Sequence, residues 1–470
     1  MIGHPVLDSA FVAEALRDEL IGHDGPARDF RRAVIDSREA EAGDLFVALP
    51  GDHAEGHDFA LDAVRRGATG LLLTRPIEGA PNAARFFVPD TLAALQRLAI
   101  AWRDALPQLQ VVGVTGNVGK STTKLMTAAI LATRYRVQAH QANYNNEIGV
   151  PLCLLELAPE TERAVIEMGM YTTGEIAQLC RWTRPRIGIV LNVGPVHLER
   201  AGSIEAIARA KRELPEALPP DGHAILNVDD PLVRAMAGHT AARVWTVRTS
   251  PDAEVRGEEV VSHGADGFEF TLSREGRSRR IAVPLPGGHL VTNVLAAAAA
   301  GLADDIAFDA VCDAIAALNV PTRLTVRRLP GGITILDDTY NASPAATLAA
   351  LDVLAETPGR RLALLGDMLE LGEVAATEHE RVGRRAAEVA GVLFTVGTLA
   401  RGISDAARTA GLAKATHCES KDEALSRVRA ELRAGDVLLV KASRALALET
   451  VVRALTGIDS PAPAQETSAR

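Results

Sequence analysis

The chain has 470 residues, of which 47% are hydrophobic and 23% are charged, and its formal net charge is −10 at pH 7. This length predicts roughly two to four domains, and this composition is typical of a globular protein rather than a disordered one. The acidic balance offers no basic surface to nucleic acid and argues against electrostatic attachment to an anionic membrane.

The cysteine pattern and the N-terminus indicate the compartment. The four cysteines are far apart in the chain and form no CxxC pair, which excludes the usual zinc and redox spacings and indicates a reducing environment. No signal peptide is apparent, and no run of 18 consecutive apolar residues predicts a membrane span. We therefore expect a cytoplasmic protein.

Residues 30–105 alternate between short apolar strands and helices. Strand patterns occur at 44–50 and 68–74, and helical patterns occur at 57–67 and 91–106. The longer helix ends before Pro107, which therefore predicts the first domain boundary.

A second run of alternating strands and helices begins at residue 111 and indicates a mostly parallel sheet. Its strand patterns occur at 111–115, 164–168, 187–193 and 224–228. Segment 243–285 alternates polar and apolar residues between turns, which predicts an antiparallel insert. The alanine-rich segment 291–303 predicts a helix.

A third unit begins near Arg323 and again has α/β character. Its strand patterns occur at 333–338, 361–367, 391–397 and 436–443. Because helical patterns separate these strands, we predict a further α/β domain. The last dozen residues are expected to form a disordered tail.

The segment GVTGNVGKSTTK (113–124) follows an apolar strand and begins a helix. Its glycines allow backbone amides to approach phosphate oxygens, and the helix N-terminus adds partial positive charge. In this pattern Lys120 reaches the terminal phosphates and the Ser121 hydroxyl binds Mg²⁺. Position 114 is valine where the strict P-loop has glycine, so the match is to the variant TGxxGK[ST]. The loop predicts nucleotide binding, but it does not separate ligases from kinases, GTPases or transport ATPases.

Three further residues lie near the predicted edge of the same sheet. Glu167 ends the strand AVIEM, so its carboxylate faces the ligand crevice, either as a Mg²⁺ ligand or as a helix cap. His197 follows the strand at 187–193 and is either a metal or phosphate contact or a structural or exposed histidine. Lys211 lies on a helix beginning near Ser203 and is by default a solvated cation. A buried lysine beside a metal would instead lose its proton and react with CO₂, and the carbamate would be a further anionic ligand.

Several sequence blocks, in order over nearly the whole chain, resemble those of the Mur ligases, the amino-acid-adding enzymes of peptidoglycan synthesis. The first block, DSREAEAGDLFVALPGDHAEGHDF (36–59), resembles the one that holds the UDP-sugar substrate. The phosphate loop, EMG, NVGPVHLE and ARAKREL follow in the family's order. The remaining blocks are NYNNEIGVP (143–151), DDTYNASPAATLAAL (337–351), LLGDMLELG (364–372) and VKASRALALE (440–449). The patterns DDxYNxxP and GDMxELG favour the branch of the family that adds a dipeptide.

The resemblance implies the three-domain Mur ligase architecture of the α/β class. A UDP-sugar-binding domain (1–107) would precede a central P-loop ATPase domain (108–322). A Rossmann-like C-terminal domain (323–458) would bind the amine substrate and would be followed by the disordered tail (459–470). Because the carboxylate, ATP and amine sites would come from different domains, we expect rigid-body domain closure.

The resemblance also implies the reaction. ATP would drive the ligation of D-alanyl-D-alanine to UDP-N-acetylmuramoyl-tripeptide through an acyl-phosphate intermediate, with ADP and phosphate as products. ATP and Mg²⁺ are therefore the expected cofactors, and the two substrates are the expected small-molecule partners. We expect a monomer with no nucleic-acid partner.

The site residues implied by the resemblance fall into groups by ligand. Those expected to bind ATP are Thr115, Gly116, Asn117, Val118, Gly119, Lys120, Ser121, Thr122, Asn293, Arg323 and Asp338. Those expected to hold Mg²⁺ are Ser121, Glu167, His197 and Lys211 as its carbamate. Those expected to take part in catalysis are Lys120, His197 and Lys211. Those expected to bind the substrates are Ser37, Arg38, His57, Asn143, Asn146, Tyr340, Asn341, Lys441, Ser443 and Arg444.

Two alternatives stay open at this point. The first is another ligase of the superfamily with a different amine or acceptor. A folylpolyglutamate synthetase should lack the block at 36–59, and a diaminopimelate-adding enzyme should carry Asp-Asn-Pro-Arg in its last domain, which does not occur here. The second is a catalytically silent paralogue that binds nucleotide. Such a protein should have lost Lys120, Glu167 or Lys211, and all three are present.

Overall fold

The computed structural model describes residues 5–51, 55–140, 143–194, 202–249 and 253–457. Within these ranges the strands form three sheets in chain order, and helices pack against them. The predicted α/β class is confirmed, and no helix in these ranges is long and apolar enough to cross a membrane. His197 and the predicted tail at 459–470 lie outside the described residues.

The first sheet belongs to the N-terminal part of the chain. Its strands are β1 (Gly22–Asp24), β2 (Ala33–Val34), β3 (Leu45–Val47), β4 (Gly70–Leu73) and β5 (Ala84–Phe87). They lie in the order β1-β5-β4-β3-β2, with β1 antiparallel to β5 and the other neighbours parallel. The accompanying α-helices are Ser9–Ala15, Ala60–Arg66 and Thr91–Asp104, and the 3-10 helices are Ser37–Glu39 and Gly56–Phe59.

The central sheet has nine strands. They are β6 (Gln110–Thr115), β7 (Val137–Gln138), β8 (Arg163–Glu167), β9 (Pro185–Val190), β10 (His223–Asn227), β11 (Arg243–Arg248), β12 (Val255–Ser262), β13 (Phe268–Arg274) and β14 (Arg277–Val283). The described α-helices of this part are Lys120–Leu131, Gly149–Leu155, Glu175–Thr183, Ile204–Glu216, Pro231–Arg234, Val291–Ala303 and Phe308–Ala316. The strand order is β14-β13-β12-β11-β10-β9-β6-β8-β7. Since β6 lies between β8 and β9, its carboxyl end is at a topological switch point, where open α/β sheets bind ligands.

Segment 243–285 differs from the prediction of an antiparallel insert. Strand β11 pairs in parallel with β10, and β12 pairs in parallel with β11, so both extend the central sheet. Antiparallel pairing begins only at β12 and continues through β13 and β14. The alternation in the sequence reflects burial of one face of these strands, where Phe270 and Leu272 share a core with helix Val291–Ala303. A local pattern reports burial, whereas the direction of a strand's neighbour depends on the tertiary structure.

The third sheet forms the C-terminal part. Its strands are β15 (Thr325–Arg328), β16 (Thr334–Asp338), β17 (Arg360–Gly366), β18 (Val392–Val396), β19 (Ala415–Cys418) and β20 (Asp436–Lys441). They lie in the order β15-β16-β20-β17-β18-β19, and only β15 is antiparallel to its neighbour. The accompanying α-helices are Pro344–Glu356, Ala375–Val389, Arg401–Thr409, Lys421–Glu431 and Glu449–Thr456.

The hydrophobic cores explain how the first two sheets are held together. One buried cluster runs from the first sheet through helix Thr91–Asp104 to one face of the central sheet. Within it, the indole of Trp102 donates a hydrogen bond to the Leu157 carbonyl at 3.0 Å, so the helix is fixed to the central part of the chain. A second cluster covers the opposite face of the central sheet, under helices Lys120–Leu131 and Val291–Ala303.

Candidate active site

The phosphate loop follows β6 and ends at helix Lys120–Leu131. Gly119 has a φ of +91°, in the left-handed region that favours glycine. A Cβ atom at this position would also overlap the side-chain amide of Asn293. Both the backbone conformation and the close approach of Asn293 therefore require glycine immediately before Lys120.

Lys120 lies against the loop that precedes it. Its Nζ donates hydrogen bonds to the carbonyls of Gly116 at 2.8 Å and Asn117 at 3.2 Å. Burial is the main cause that lowers the pKa of Lys120, while the Glu167 carboxylate opposes this shift and Arg323 adds to it. Because the charge of Arg323 lowers the pKa of Lys120, a cation of the third sheet's domain lies near the phosphate loop.

The rest of the loop is held by the ends of the neighbouring strands. The Thr115 hydroxyl donates to the Met168 carbonyl at 2.9 Å, just after β8. After β9, Asn192 Oδ1 accepts hydrogen bonds from the backbone amides of Asn117 and Val118, each at 2.9 Å. Asn192 is therefore a further positioning residue of the loop, and its sequence signals are its place just after a buried strand and at the start of the block NVGPVHLE. Thr122 is buried at the start of the helix.

A network of oxygen and amide groups connects the loop to Glu167. The Ser121 hydroxyl lies 2.8 Å from Glu167 Oε2 and 3.0 Å from Asn143 Oδ1, and both oxygens are acceptors for its single proton. Asn145 Nδ2 donates to Glu167 Oε1 at 2.9 Å. Lys124, which is also buried, places its Nζ 3.7 Å from Glu167 Oε2. Asn145 and Lys124 were not among the predicted site residues.

The charge state of Glu167 follows from these neighbours. Burial by itself would raise the pKa of Glu167, but Lys120 and Lys124, together with the hydrogen bonds from Asn145 and Ser121, hold the pKa below its usual range. An ionised carboxylate beside a hydroxyl is a donor set of the kind that Mg²⁺ prefers. Among the described residues, no group of three or more His, Cys, Asp or Glu side chains forms a complete metal site.

Lys211 is buried on helix Ile204–Glu216, only 3% exposed. Burial is the main cause that lowers its pKa well below the usual value, and the charge of Lys120 lowers it further. The default interpretation of Lys211 as a solvated helix cation is therefore excluded, because this side chain is buried in the protein. A lysine held neutral by burial is nucleophilic, as formation of a carbamate with CO₂ requires.

Asn293 lies on helix Val291–Ala303 against the phosphate-loop helix. Its Nδ2 donates to the Thr123 hydroxyl at 2.8 Å and to the Gly119 carbonyl at 3.2 Å. The side chain thus fixes the junction between the loop and helix Lys120–Leu131.

The third sheet brings a buried ion pair to the same region. Lys441 Nζ, at the end of β20, lies 2.6 Å from Asp338 Oδ2 and donates to the Asn341 carbonyl at 2.8 Å. The second oxygen of Asp338 is buried and has no hydrogen-bond partner among the described residues. Arg323 lies with Cζ 4.7 Å from the ring centre of Tyr340.

Asn143 and Tyr340 join the central and third sheets' domains. Asn143 Nδ2 lies 2.6 Å from the Tyr340 hydroxyl oxygen. The predicted residues Ser443 and Arg444 follow β20 nearby: Ser443 Oγ accepts from the Leu369 amide at 2.9 Å, and Arg444 pairs with Glu449 at 3.2 Å. Asn341 Oδ1 accepts from the Ala342 amide at 2.8 Å, as in a turn.

The predicted residues of the first sheet's domain each contact a neighbour within that domain. The Ser37 hydroxyl donates to Asp62 at 2.9 Å, and the exposed Arg38 pairs with Asp36 at 2.6 Å. His57 is buried; its Nδ1 lies 2.8 Å from Glu55, and its Nε2 accepts the Thr74 amide at 3.0 Å. Both ring nitrogens of His57 are therefore engaged within the domain.

Asn146 has a different position from its neighbour Asn143. Its Oδ1 accepts hydrogen bonds from the Ile148 amide at 3.3 Å and the Gly149 amide at 2.8 Å, at the start of helix Gly149–Leu155. This contact resembles a helix cap.

Three family models match the chain in the order of its sheets. They are described as the Mur ligase family catalytic domain (31–103), the Mur ligase middle domain (114–301) and the Mur ligase glutamate ligase domain (322–444). A relative from Escherichia coli (strain K12) is named UDP-N-acetylmuramoyl-tripeptide--D-alanyl-D-alanine ligase. It is 39% identical over 433 residues, covering 90% of this chain and 93% of the relative.

Solved structures agree with these matches. A crystal structure of MurF from Acinetobacter baumannii superimposes with a TM-score of 0.84 at 29% identity, covering 97% of this chain and 100% of that one. MurF ligase from Thermotoga maritima in complex with ADP superimposes with a TM-score of 0.77 at 29% identity, covering 90% and 96%. The predicted resemblance and the three-domain architecture are thereby confirmed. This chain belongs to the Mur ligase family.

Proposed function

We propose that this protein ligates D-alanyl-D-alanine to UDP-N-acetylmuramoyl-tripeptide, with cleavage of ATP to ADP and phosphate, as a step in peptidoglycan precursor synthesis. The observation that carries the proposal is the similarity to relatives named for this reaction, which extends over 90% of the chain in the Escherichia coli case. A silent paralogue is disfavoured because Lys120, Glu167 and Lys211 lie in one region, with the charge of Lys120 acting on both other groups.

ATP binding is assigned to the phosphate loop and the residues around it. Loop amides at the helix N-terminus would hold the phosphates, and Lys120 would neutralise charge on the γ-phosphate. Asn293 keeps the loop in place. Arg323 and Asp338 would approach the nucleotide from the third sheet's domain, and the buried unpaired oxygen of Asp338 suits a hydroxyl donor. The ADP in the Thermotoga maritima relative supports this assignment.

Mg²⁺ is assigned to Ser121 and Glu167, whose oxygens lie 2.8 Å apart beside the loop. A bound Mg²⁺ would neutralise the charge of the transferred phosphoryl group. We propose His197 and the Lys211 carbamate as the remaining protein ligands. The depressed pKa of Lys211 supports carbamate formation, since only the neutral amine reacts with CO₂.

The proposed chemistry has two steps. An oxygen of the tripeptide's terminal carboxylate attacks the γ-phosphorus in line, the bond to the ADP oxygen breaks, and an acyl phosphate forms. The dipeptide amine then attacks the acyl carbon and loses a proton, and the carbon–oxygen bond to phosphate breaks. Positioning supplies much of the rate. Holding the carboxylate in line with the γ-phosphate, and the amine beside the acyl carbon, avoids the entropic cost of bringing the reactants together.

The proposed limits of the three domains are 1–107, 108–322 and 323–458. The substrates are assigned mainly to the first and the third of these domains. In the first domain, Arg38 is exposed and would exchange its partner Asp36 for a phosphate of the UDP-sugar. Residues proposed for substrate binding there and elsewhere are Ser37, His57, Asn143, Asn146, Tyr340, Asn341, Lys441, Ser443 and Arg444. We further propose a monomer in the cytoplasm, where ATP is available.

The test is phosphate release from ATP with purified protein, Mg²⁺ and UDP-N-acetylmuramoyl-tripeptide. D-alanyl-D-alanine is compared with single amino acids as the amine, and the ligated product is identified by mass spectrometry. The proposal expects release and product only when tripeptide and dipeptide are both present. Product with a different amine or acceptor would keep the ligase chemistry but reject this substrate assignment.

A further inference from the structure

We propose that Tyr340 is a positioning residue for ligation. Its hydrogen bond to Asn143 holds the third sheet's domain in a fixed position relative to the phosphate loop. The inference rests on the proposed function. The two residues are 197 positions apart in the chain, and the bond joins domains that carry different parts of the site.

Polar contacts lead from Glu167 to Tyr340 in a continuous series. Glu167 Oε2 lies 2.8 Å from the Ser121 hydroxyl, which lies 3.0 Å from Asn143 Oδ1. The other end of the same amide, Nδ2, donates to the Tyr340 hydroxyl oxygen at 2.6 Å. The series therefore extends from the central carboxylate to the third sheet's domain through one asparagine side chain.

The side-chain amide of Asn143 presents a different atom to each neighbour. Its Oδ1 lies 3.0 Å from the Ser121 hydroxyl, and its Nδ2 donates to the Tyr340 hydroxyl oxygen. An aspartate of the same size offers acceptors alone, so the Tyr340 hydroxyl would have to become the donor of the bond. Neither neighbouring asparagine makes this connection, because Asn145 contacts Glu167 and Asn146 accepts an amide at the start of helix Gly149–Leu155.

The Tyr340 ring is itself held in place. The guanidinium carbons of Arg323 and Arg444 lie 4.7 Å and 5.9 Å from its centre, within the range of cation–π attraction. The backbone on either side is anchored because Lys441 binds both Asp338 and the Asn341 carbonyl. Because the ring is held in place, the position of its hydroxyl is fixed relative to the third sheet's domain, as it would not be on a mobile side chain.

The consequence concerns the geometry of the reaction rather than nucleotide affinity. Loss of the bond leaves the phosphate loop intact, so ADP should bind as before. The proposed amine site moves with the third sheet's domain, and a small displacement of reacting groups slows the chemical step. Loss of a single neutral hydrogen bond corresponds to about a 3- to 10-fold fall in kcat.

The experiment compares Tyr340→Phe, Asn143→Ala and the double variant in the intact enzyme. Measurements are kcat and the KM of all three substrates, together with the dissociation constant of ADP. We expect kcat to fall about 3- to 10-fold in Tyr340→Phe. The dissociation constant of ADP should stay within about 2-fold of its value in the unchanged protein. The double variant should be no slower than Asn143→Ala, because both substitutions remove the same bond.

Tyr135→Phe is the matched control. Its hydroxyl also makes a partly buried hydrogen bond, to the Asp304 carbonyl at 2.9 Å, but that bond lies within the central domain. The Tyr135→Phe substitution should therefore leave kcat unchanged. An unchanged kcat in Tyr340→Phe, or fully additive effects in the double variant, would overturn the inference. So would a rise in the KM of the dipeptide alone at constant kcat, which would mean that Tyr340 acts through substrate contact alone and not through its bond to Asn143.

A second readout separates this inference from the proposed function. Amide hydrogen exchange in the ADP-bound protein should increase in Tyr340→Phe at both 143–146 and 338–342, and should not increase there in Tyr135→Phe. This result is expected whichever amine or acceptor the enzyme uses. If the stated substrates give no product but exchange changes as expected, the substrate assignment fails and the domain link stands. If exchange is unchanged, the domain link fails.

Discussion

Glu213 and Gly174 are joined by a short hydrogen bond, in which Glu213 Oε1 accepts the Gly174 amide proton at 2.6 Å. The second oxygen of Glu213 accepts the Ala177 amide at 2.9 Å. Both amides lie at the start of helix Glu175–Thr183, and this helix end favours a negative charge. Glu213 is carried by the same helix as Lys211, so the contact fixes the helix that presents this lysine to the site.

Replacement of Glu213 by alanine should lower the free energy of unfolding by about 1–3 kcal/mol, because two amides at a helix start lose their acceptor. Urea unfolding measures this change. Glu216→Ala is the control: Glu216 pairs with Arg212 at 2.7 Å on a partly exposed surface, so its loss should cost about 0.5 kcal/mol or less. Equal destabilisation by the two substitutions would contradict this account of Glu213.

Lys120→Ala should abolish phosphate release from ATP, since Lys120 is the lysine proposed to neutralise the γ-phosphate, whereas the other lysine of segment 113–124, Lys124, lies against Glu167. Its far-ultraviolet circular dichroism should match that of the unchanged protein, because the hydrogen bonds that Lys120 makes within the described part of the chain go to carbonyls of its own loop. Lys414→Ala, at an exposed lysine paired with Glu431, should retain full turnover. ATP turnover retained by Lys120→Ala would reject the assignment of the phosphate loop.

Lys211→Ala should lose most ligase activity, and added formate or acetate should restore part of it by taking the place of the carbamate carboxylate. The physical reason is that burial lowers the pKa of Lys211 and so favours the neutral amine, the form that reacts with CO₂. The same salts added to the unchanged enzyme serve as the control and should not stimulate it. A Lys211→Ala variant with full activity in the absence of added carboxylate would exclude the carbamate.

The four cysteines, Cys153, Cys180, Cys312 and Cys418, are all buried and none forms a disulfide. Burial raises the pKa of Cys180 to about 12 and that of Cys312 to about 11. At pH 8 a thiol with a pKa of about 11 is ionised in only about one molecule in a thousand, so the reactive thiolate is scarce. We expect almost no reaction of the folded protein with a thiol-specific chromogenic disulfide within minutes, and four thiols per chain after unfolding in guanidinium. Rapid reaction of even one thiol in the folded protein would contradict this burial.

Much of the secondary structure is predictable because it depends on local patterns. The helix predicted at 291–303 occurs as Val291–Ala303, and the strand predicted at 333–338 occurs as Thr334–Asp338. The direction of pairing in 243–285 is not predictable in this way, because a strand's alternation reports which face is buried and not which neighbour it joins.

The candidate site shows the same division. Glu167 follows from its place at the end of a buried strand, and the structure puts it beside Ser121 as the phosphate-loop pattern requires. The run of asparagines is different, since three similar side chains in a loop have three different contacts. Which one faces the carboxylate depends on the path of the backbone, and no residue pattern specifies that path.

By itself the sequence determined the α/β class, the phosphate loop, the order of the family blocks and the residues that carry charge. These features follow from glycine conformations, from the burial periods of strands and helices, and from residue identity, all of which are local. Only the tertiary structure decided that Lys211 is buried, that His57 uses both ring nitrogens within its domain, and that Asn143 meets Tyr340. Burial and pairing between distant residues arise from packing, which brings together side chains that the chain order keeps apart.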